Sequence, residues 1–161
     1  MRRGAIGAAL LLAALVGAGG RAAGRPASGA YDWAVAVWPS GREFKLEIAA
    51  DSQSRWRGYR HRAEVPPDEG MLFIFPAEQQ QSFVMQDCLV SLDMIFLDSA
   101  LRVVEIAHDR KPCHPGPEDK CPLISPMRPA QYVLEVAGGI AEQEKLVPGD
   151  RLTILSEPPL K

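Results

Sequence analysis

Apolar side chains at every second position are the feature that most limits how this chain can fold. They occur first in two neighbouring segments, YDWAVAVW and FKLEIAAD, which the turn sequence PSGR separates. Because successive side chains of a β-strand point to opposite faces of a sheet, this pattern is typical of half-buried strands. The two segments therefore predict a hairpin over residues 33–49.

Further short apolar segments follow, each bounded by glycine, proline or polar residues. They read GMLFIF, SFVM, LVSLDMIFL, LRVVEIA, QYVLEVA and RLTILS. Two brief helices are predicted between them, one beginning at Asp51 or Ser52 and running through SQSRWRGYRHR, the other in GIAEQEKL. The pattern predicts a mainly β fold, α+β at the margin. We expect a single compact domain, similar to a β-barrel or sandwich, with one or two short helices.

The N-terminal segment has a different character. Arg2 and Arg3 precede a charge-free apolar stretch from Gly4 to Gly20, and small residues follow it. This layout is typical of a secretory signal peptide, since a spanning helix needs roughly 20 strongly apolar residues and this stretch is diluted by glycine and alanine. We expect a signal peptide over residues 1–22, a flexible leader over 23–30, the β-rich domain over 31–156 and a C-terminal tail over 157–161.

The charge of the exported chain limits its partners. Removal of the signal peptide takes away three arginines and no acidic residue, so the formal charge falls from −2 to −5. An acidic domain of this kind does not favour nucleic acid or an anionic membrane surface as a partner. We therefore expect a periplasmic or extracellular protein, free of the membrane after cleavage, whose ligand is a small molecule, a carbohydrate or a protein.

The cysteines fit the same compartment. Cys113 and Cys121 flank the turn-rich loop HPGPEDK, and an exported chain can keep a structural disulfide between them. Zinc bound with His114 as a third ligand is the alternative, although the short paired spacing typical of structural zinc sites is missing. Cys88 is expected to be a small buried hydrophobe. We predict no metal and no cofactor.

Several motifs in order resemble one known family. They read RGYRHRAEVPPDEGMLFIF, FVMQDCLVSLDMIFLD, VVEIAHDRKPC, CPLIS, PAQYVLEVAGG and LVPGDRL. Together they are similar to the family called domain of unknown function 192, over about residues 45–155. The resemblance implies a small, predominantly β and often exported protein. It implies no reaction, because no catalytic activity is established for the family as a whole.

The chain departs from the family's pattern at two motifs. Where the family commonly has Gly-Leu-Met-Phe-Arg, this chain has GYRHR from Gly58 to Arg62. Where the family commonly has Phe-Trp-Met-Lys-Asn-Thr, it has FVMQDC from Phe83 to Cys88. The resemblance therefore carries over no activity that needs the tryptophan and the lysine of the second motif.

One carboxylate lies inside an otherwise apolar strand. Alternation in LVSLDMIFL puts Asp93 on a largely apolar face, so we expect it to be buried. A buried carboxylate needs hydrogen-bond donors or a positive partner. We predict that Asp93 pairs with Arg62, whose planar guanidinium can donate two hydrogen bonds, or with backbone N–H groups of an adjoining loop. In the structural interpretation, Asp93 then ties the helix and its following loop onto the sheet.

The functional interpretation is a polar cleft that contains Arg62, Asp87 and Asp93. Its leading hypothesis is a non-enzymatic extracytoplasmic binding or accessory domain. The alternative is a hydrolase acting on cell-envelope or extracellular carbohydrate, with Asp87 and Asp93 as paired carboxylates. A groove lined by Trp38, Trp56 and Tyr59 is a further candidate platform for a sugar or peptide, against the simpler expectation that Trp33 packs in the core and the others are partly buried.

Overall fold

A computed structural model describes residues 33–116 and 120–155 of the chain. The strands and helices follow one another as β1 (Trp33–Val37), β2 (Glu43–Ala49), α1 (Ser52–Arg57), β3 (Glu69–Gln79), β4 (Leu92–Leu97), β5 (Val103–Arg110), β6 (Ala130–Ala137), α2 (Ile140–Gln143) and β7 (Thr153–Leu155). The signal peptide, leader and tail expected from the sequence lie outside the described residues, so their boundaries stay predictions.

The seven strands form one sheet in the order β5-β4-β6-β3-β2-β1-β7. The predicted hairpin is confirmed, since β1 and β2 pair antiparallel from Trp33 opposite Glu47 to Val37 opposite Glu43. Strands β2 and β3 pair in parallel, with helix α1 in the connection between them. The mainly β prediction is therefore confirmed, and both predicted helices are present but shorter than the segments predicted for them.

The two edge strands approach each other without closing the sheet. Arg102, just before β5, forms a single antiparallel bridge with Arg151, just before β7. The N–H of Leu152 donates to the carbonyl of Leu101 at 3.0 Å on the same stretch. Because this contact is one bridge and not a ladder, the sheet curls but is not a closed barrel.

Each face of the sheet carries its own apolar core. The first, here called the Trp38 core, includes Trp38, Phe44, Leu46, Ile95, Leu97 and Leu134. The second, the Phe73 core, includes Tyr59, Met71, Phe73, Met94, Phe96 and Val133. Neighbouring residues of β4 and β6 thus belong to opposite cores, as strand alternation requires.

Helix α1 begins and ends where local chemistry dictates. The Asp51 carboxylate accepts hydrogen bonds from the N–H groups of Gln53 and Ser54, each at 2.8 Å, which identifies Asp51 as the N-cap. Gly58 follows the helix with a φ of 47°, a backbone conformation that glycine adopts without steric cost. The helix is therefore shorter than the predicted SQSRWRGYRHR, and residues 58–62 form a turn.

Two other sequence expectations differ from the structure. The segment SFVM is not a regular strand, because only Phe83 pairs, in an isolated bridge to Ile124. Strand β3 instead runs on through Pro76 to Gln79, with a register shift against β6 after Ile74. A proline is tolerated there because the irregular pairing does not demand its missing N–H.

Asp93 is fully buried, and its partners are backbone amides. Its Oδ1 accepts a hydrogen bond from the N–H of Asp109 at 2.7 Å, and its Oδ2 accepts one from the N–H of Ala141 at 2.7 Å. The predicted partner Arg62 is wrong, whereas the alternative of backbone N–H donors is correct. Arg62 instead binds Glu47 through both carboxylate oxygens.

Local geometry explains why these two amides point at Asp93. Strand β5 contains a bulge, because His108 and Asp109 together lie opposite Asp93 in the pairing with β4. Ala141 is the second residue of α2, and the N-cap of that helix, Gly139, provides no side-chain hydrogen bond. Asp93 therefore caps α2 from the sheet and fixes the bulge, so its role here is structural.

Within the described ranges, neither helix has the length and apolar character needed to cross a membrane.

We expect Asp93→Asn to lower the free energy of unfolding by about 3 kcal/mol, because a buried hydrogen bond to a charged group contributes roughly 1.5–3 kcal/mol. The asparagine oxygen can accept from one amide, but its NH₂ group would face the other N–H. Equilibrium urea unfolding measures the change.

Asp98→Asn is the matched control. Asp98 also accepts from two backbone amides, those of Ala100 and Arg102, but through one oxygen at a solvent-accessible position. The asparagine oxygen can keep both bonds, so the loss should stay below about 1 kcal/mol. Equal losses in the two variants would contradict the role assigned to Asp93.

Candidate functional site

A cavity opens beside the Phe73 core. Its volume is about 350 Å³, within the range of about 300–1,000 Å³ typical of small-molecule sites. The lining comes from helix α1 and the turn after it, from strands β3 and β6, and from the loop between β3 and β4. We call it the Glu135 cavity, after the acidic residue of β6 that lines it.

Glu135 is held in the cavity by its place in the sheet. Its neighbours on the adjoining strands are Met71 and Met94, so an apolar row flanks it on both sides. The residue is only 4% exposed, and its side chain makes no hydrogen bond or ion pair with any residue in the described part of the chain. Burial raises the pKa of the Glu135 carboxyl from 4.5 to about 8. At neutral pH the group is therefore mostly protonated, with one O–H to donate.

Aromatic rings supply much of the remaining lining. The contributing residues are Trp56, Tyr59, Phe73, Phe75 and Phe83. Phe83 meets Phe73 edge-on, with ring centroids 5.2 Å apart. Trp56 is 70% exposed at the mouth, whereas Trp38 is buried against Phe44 in the other core. The groove expected from Trp38, Trp56 and Tyr59 is thus wrong for Trp38, while Trp56 and Tyr59 do share the cavity.

Three arginines line the same cavity: Arg55, Arg57 and Arg60. Arg55 donates through Nη1 to the carbonyl oxygens of Ala50 and Ile74, and its guanidinium lies over the Phe75 ring, 5.2 Å from the centroid. Arg60 donates through Nε to the Trp56 carbonyl at 3.0 Å. The cavity is therefore positive around a neutral acid.

Two further polar groups in the lining are uncharged at neutral pH. Burial raises the pKa of the Tyr59 hydroxyl well above its ordinary value, and the negative charge of a nearby ionised Glu135 raises it further. The same two causes raise the pKa of the Cys88 thiol to about 11. Cys88 is a free and buried thiol, as expected, and as a protonated thiol it is a poor nucleophile.

The side chains of Arg62, Asp87 and Asp93 bind three different sets of partners, although the N–H of His61, next to Arg62, donates to the Asp87 carbonyl at 2.8 Å. Asp93 serves the Trp38 side of the sheet, and Arg62 binds Glu47, with Nη2 and Oε2 2.7 Å apart. Asp87 lies in the β3–β4 loop and pairs with Arg60 at 3.3 Å. None of the three is among the lining residues of the Glu135 cavity, although Arg60 links Asp87 to its edge.

The predicted disulfide is present. Cys113 and Cys121 are bonded, with their Cα atoms 5.8 Å apart, so neither thiolate is available to zinc. The N–H of Cys113 donates to the Met85 carbonyl at 3.0 Å, and the N–H of Asp87 donates to the Cys113 carbonyl at 3.2 Å. The cross-linked loop thus holds the segment that leads to Cys88. Across residues 33–116 and 120–155, no three metal-ligating side chains gather into a possible ion site.

Sequence reasoning missed Glu135, although the signal was present. The segment QYVLEVA places one acidic residue inside an apolar strand, as LVSLDMIFL does for Asp93. The same rule about buried carboxylates applies to both. The rule that buried carboxyls need partners does not tell whether a given carboxyl accepts from backbone amides, as Asp93 does, or lines a cavity, as Glu135 does.

Comparison with known proteins places the chain in one family and gives no activity. The sequence model of DUF192, described as uncharacterized ACR, matches residues 35–154, about three-quarters of the chain. This match confirms the resemblance found in the motifs. Among curated proteins, none matches.

Two solved structures are similar over most of their length. One is a putative transcription regulator from Sinorhizobium meliloti 1021, 29% identical, with a TM-score of 0.67 over 80% of this chain and 96% of that one. The other is a protein of unknown function from Novosphingobium aromaticivorans DSM 12444, 28% identical, with a TM-score of 0.68 over 80% of this chain and 89% of that one. Both share the fold described above.

The raised pKa of Glu135 predicts a pH-dependent stability that Glu135→Gln removes. Between pH 4.5 and about 8, the folded state keeps a proton on Glu135 that the unfolded state has already released. The free energy of unfolding therefore falls as pH rises through this window, by up to about 1.4 kcal/mol per pH unit. Glutamine has no such proton, so the variant should gain stability relative to the wild type between these limits, measured by urea unfolding.

Glu43→Gln controls for removal of a carboxyl from an exposed position of β2. Its difference from the wild type should stay constant over the same pH range. A constant difference for Glu135→Gln as well would show that the Glu135 carboxyl is not held in its protonated form.

Proposed function

The chain belongs to the DUF192 family, and on this premise we propose that it is a non-enzymatic extracytoplasmic domain that binds a small molecule in the Glu135 cavity. The observation that carries the proposal is the buried Glu135 carboxyl, which lines the cavity without a protein partner among the described residues. A buried polar group without a hydrogen bond costs free energy of folding. A ligand that accepts from the carboxyl would remove that cost.

The composition of the lining supports binding of a small organic molecule. Binding sites combine mostly apolar walls with a few convergent polar groups. Here five aromatic rings surround one neutral acid and one thiol, with arginines beside them. A polysaccharide or protein ligand would use a longer groove or a flat patch rather than a cavity of about 350 Å³, and the mostly aromatic lining favours an apolar ring over a sugar.

The chemistry of the lining favours binding over the hydrolase alternative. Glycoside hydrolysis uses two carboxyl groups, and Glu135 is the one acidic residue among the described residues of the lining. Asp93, one of the two predicted carboxylates, has both oxygens occupied by backbone amides. Cys88 lacks the lowered pKa that a catalytic thiol requires. No feature of the cavity thus favours a reaction over binding.

Export is part of the proposal. The Cys113–Cys121 disulfide supports an oxidising compartment, in agreement with the signal-peptide layout of residues 1–22. The Sinorhizobium protein is described as a putative transcription regulator, but we do not propose nucleic acid as a partner here. Cleavage removes three arginines and takes the formal charge from −2 to −5. A chain with this charge would repel a phosphate backbone.

We expect a chemically diverse set of small organic molecules to contain ligands that raise the melting temperature of the wild-type domain, because binding to the folded state stabilises it. Ser82 is exposed and lines the cavity. Ser82→Trp should fill the cavity entrance and reduce the affinity of these ligands by at least about tenfold. Calorimetric titration measures the affinities.

Ser125→Trp is the matched control. The hydroxyls of Ser82 and Ser125 are hydrogen-bonded at 2.8 Å, so either substitution removes that bond, but Ser125 does not line the cavity. Affinities should be unchanged in this variant. No ligand in the set, or ligands insensitive to Ser82→Trp, would contradict the proposed function.

We also expect the full chain, made in a Gram-negative host, to appear in the periplasm or medium with its N-terminus near residues 20–23. Alkylation of the unfolded protein should label Cys88 alone before reduction and all three cysteines after it. A chain beginning at residue 23 is the control and should stay in the cytoplasm. An uncleaved cytoplasmic product with three reactive thiols would contradict export.

A further inference from the structure

We propose that the Glu135 cavity selects small aromatic organic anions, with the ring among the phenylalanines and the anionic group at Arg55. This inference rests on the proposed function and narrows it to a ligand class. A compound with one or two rings and a carboxylate or sulfonate is the chemistry meant. The inference follows from the charge, the partners and the shape of the residues that line the cavity.

The charges of the lining favour an anion. Three guanidinium groups line the cavity together with a single carboxyl, that of Glu135. A guanidinium stays charged at all relevant pH values. A ligand cation would therefore enter beside guanidinium groups, of which Arg60 has a partly exposed partner in Asp87, and like charges repel.

Arg55 is the best placed of the three to bind the anionic group. Its two hydrogen-bond partners, the carbonyls of Ala50 and Ile74, are neutral. Arg55 forms no ion pair within 4 Å of a carboxylate in the described part of the chain. The Asp51 carboxylate attracts it, but Asp51 already accepts the hydrogen bonds that cap α1, so the Arg55 guanidinium keeps N–H groups for a ligand. A planar guanidinium with unused N–H groups binds a carboxylate or sulfonate by charge-assisted hydrogen bonds.

Arg60 adds a second positive charge. Its partner Asp87 is 3.3 Å away and more than a third of that side chain is exposed, so water and salt screen the pair. The Arg60 guanidinium also lies over the Trp56 ring, 5.1 Å from its centroid. This contact keeps the charge at the mouth of the cavity, where it attracts an incoming anion.

The aromatic lining favours a ring as the body of the ligand. Phe73, Phe75 and Phe83 all line the cavity, and Phe83 meets Phe73 and Phe75 edge-on, with interplanar angles of 88° and 87°. Edge-to-face contacts of this kind stabilise aromatic pairs beyond the apolar area that they bury. A further ring of one or two cycles can extend the same arrangement.

Glu135 completes the selection as a hydrogen-bond donor. A protonated carboxyl presents one O–H and no net charge, so it does not repel an anion. It would attract a cation only after losing its proton, and burial opposes that loss. The neutral Glu135 carboxyl and the arginines thus both favour an anion over a cation.

The test compares three indoles that differ in charge: indole-3-acetate, indole-3-acetamide and tryptamine. Calorimetric titration of the wild-type domain at neutral pH should give the acetate an affinity at least about tenfold above the amide, the gain expected from a charge-assisted hydrogen bond. Tryptamine should bind most weakly. The acetate affinity should also fall with added salt, while the amide affinity should not.

Arg55→Gln should lower the acetate affinity by about tenfold and the amide affinity by less than about twofold. Arg102→Gln is the control, because this exposed arginine lies before β5 and outside the cavity lining. It should leave both affinities unchanged. Circular dichroism checks that each variant is folded. The salt dependence of acetate binding to the wild type tests the role of charge without any substitution.

Three results would overturn the inference: acetate and amide affinities that are equal, a higher affinity for tryptamine, or no binding of any indole. Equal affinities that Ser82→Trp still weakens would leave the cavity as a binding site and remove only the selection for anions. If the diverse compound set also yields no cavity ligand, the proposed function fails with it.

Discussion

Side-chain alternation in two paired strands determines where both buried acids of this sheet face. Asp93 lies opposite Val136, and Met94 lies opposite Glu135, so the two carboxyl groups point to opposite faces. On one face, backbone amides from a bulge and a short helix receive the Asp93 carboxylate. On the other face, no described residue receives Glu135, and helix α1 with its following turn leaves a cavity beside it. One acid therefore stabilises the fold and the other is available to a ligand.

The Glu135 carboxyl departs from a rule that most of the described fold obeys, and the buried Nε1 of Trp38 in the other core likewise has no hydrogen-bond partner. Buried polar groups normally have hydrogen-bond partners, and Asp93 has two at 2.7 Å. Glu135 has none within the described chain and instead stays protonated, since burial raises its pKa to about 8. Departures of this kind are expected at functional or strained sites, which agrees with the binding role proposed for the cavity. The Phe73 core surrounds Glu135, and Cys113 of the disulfide packs against that core.

Much of the architecture is readable from the sequence, and the site is less so. Alternation predicted the β1–β2 hairpin and the burial of Asp93, because both depend on a period of two along single segments. The flanking turn residues predicted the Cys113–Cys121 disulfide. The partner of Arg62 was mispredicted, because the turn after α1 brings it to Glu47 on β2, a contact that depends on three-dimensional packing. The cavity depends on packing between elements far apart in sequence, which no local pattern encodes.

Membership of DUF192 fixes the fold and names no ligand, so the proposed binding rests on the site. The most direct test of the account is carboxyl-selective ¹³C NMR of the domain during titration with indole-3-acetate, with Glu135 assigned from the spectrum of Glu135→Gln. We expect the Glu135 carboxyl resonance to move to a saturating value, while that of Asp93 stays where it is. A Glu135 resonance that does not move at saturation, or an equal shift of both acids, would contradict the assignment of the two faces to ligand and fold.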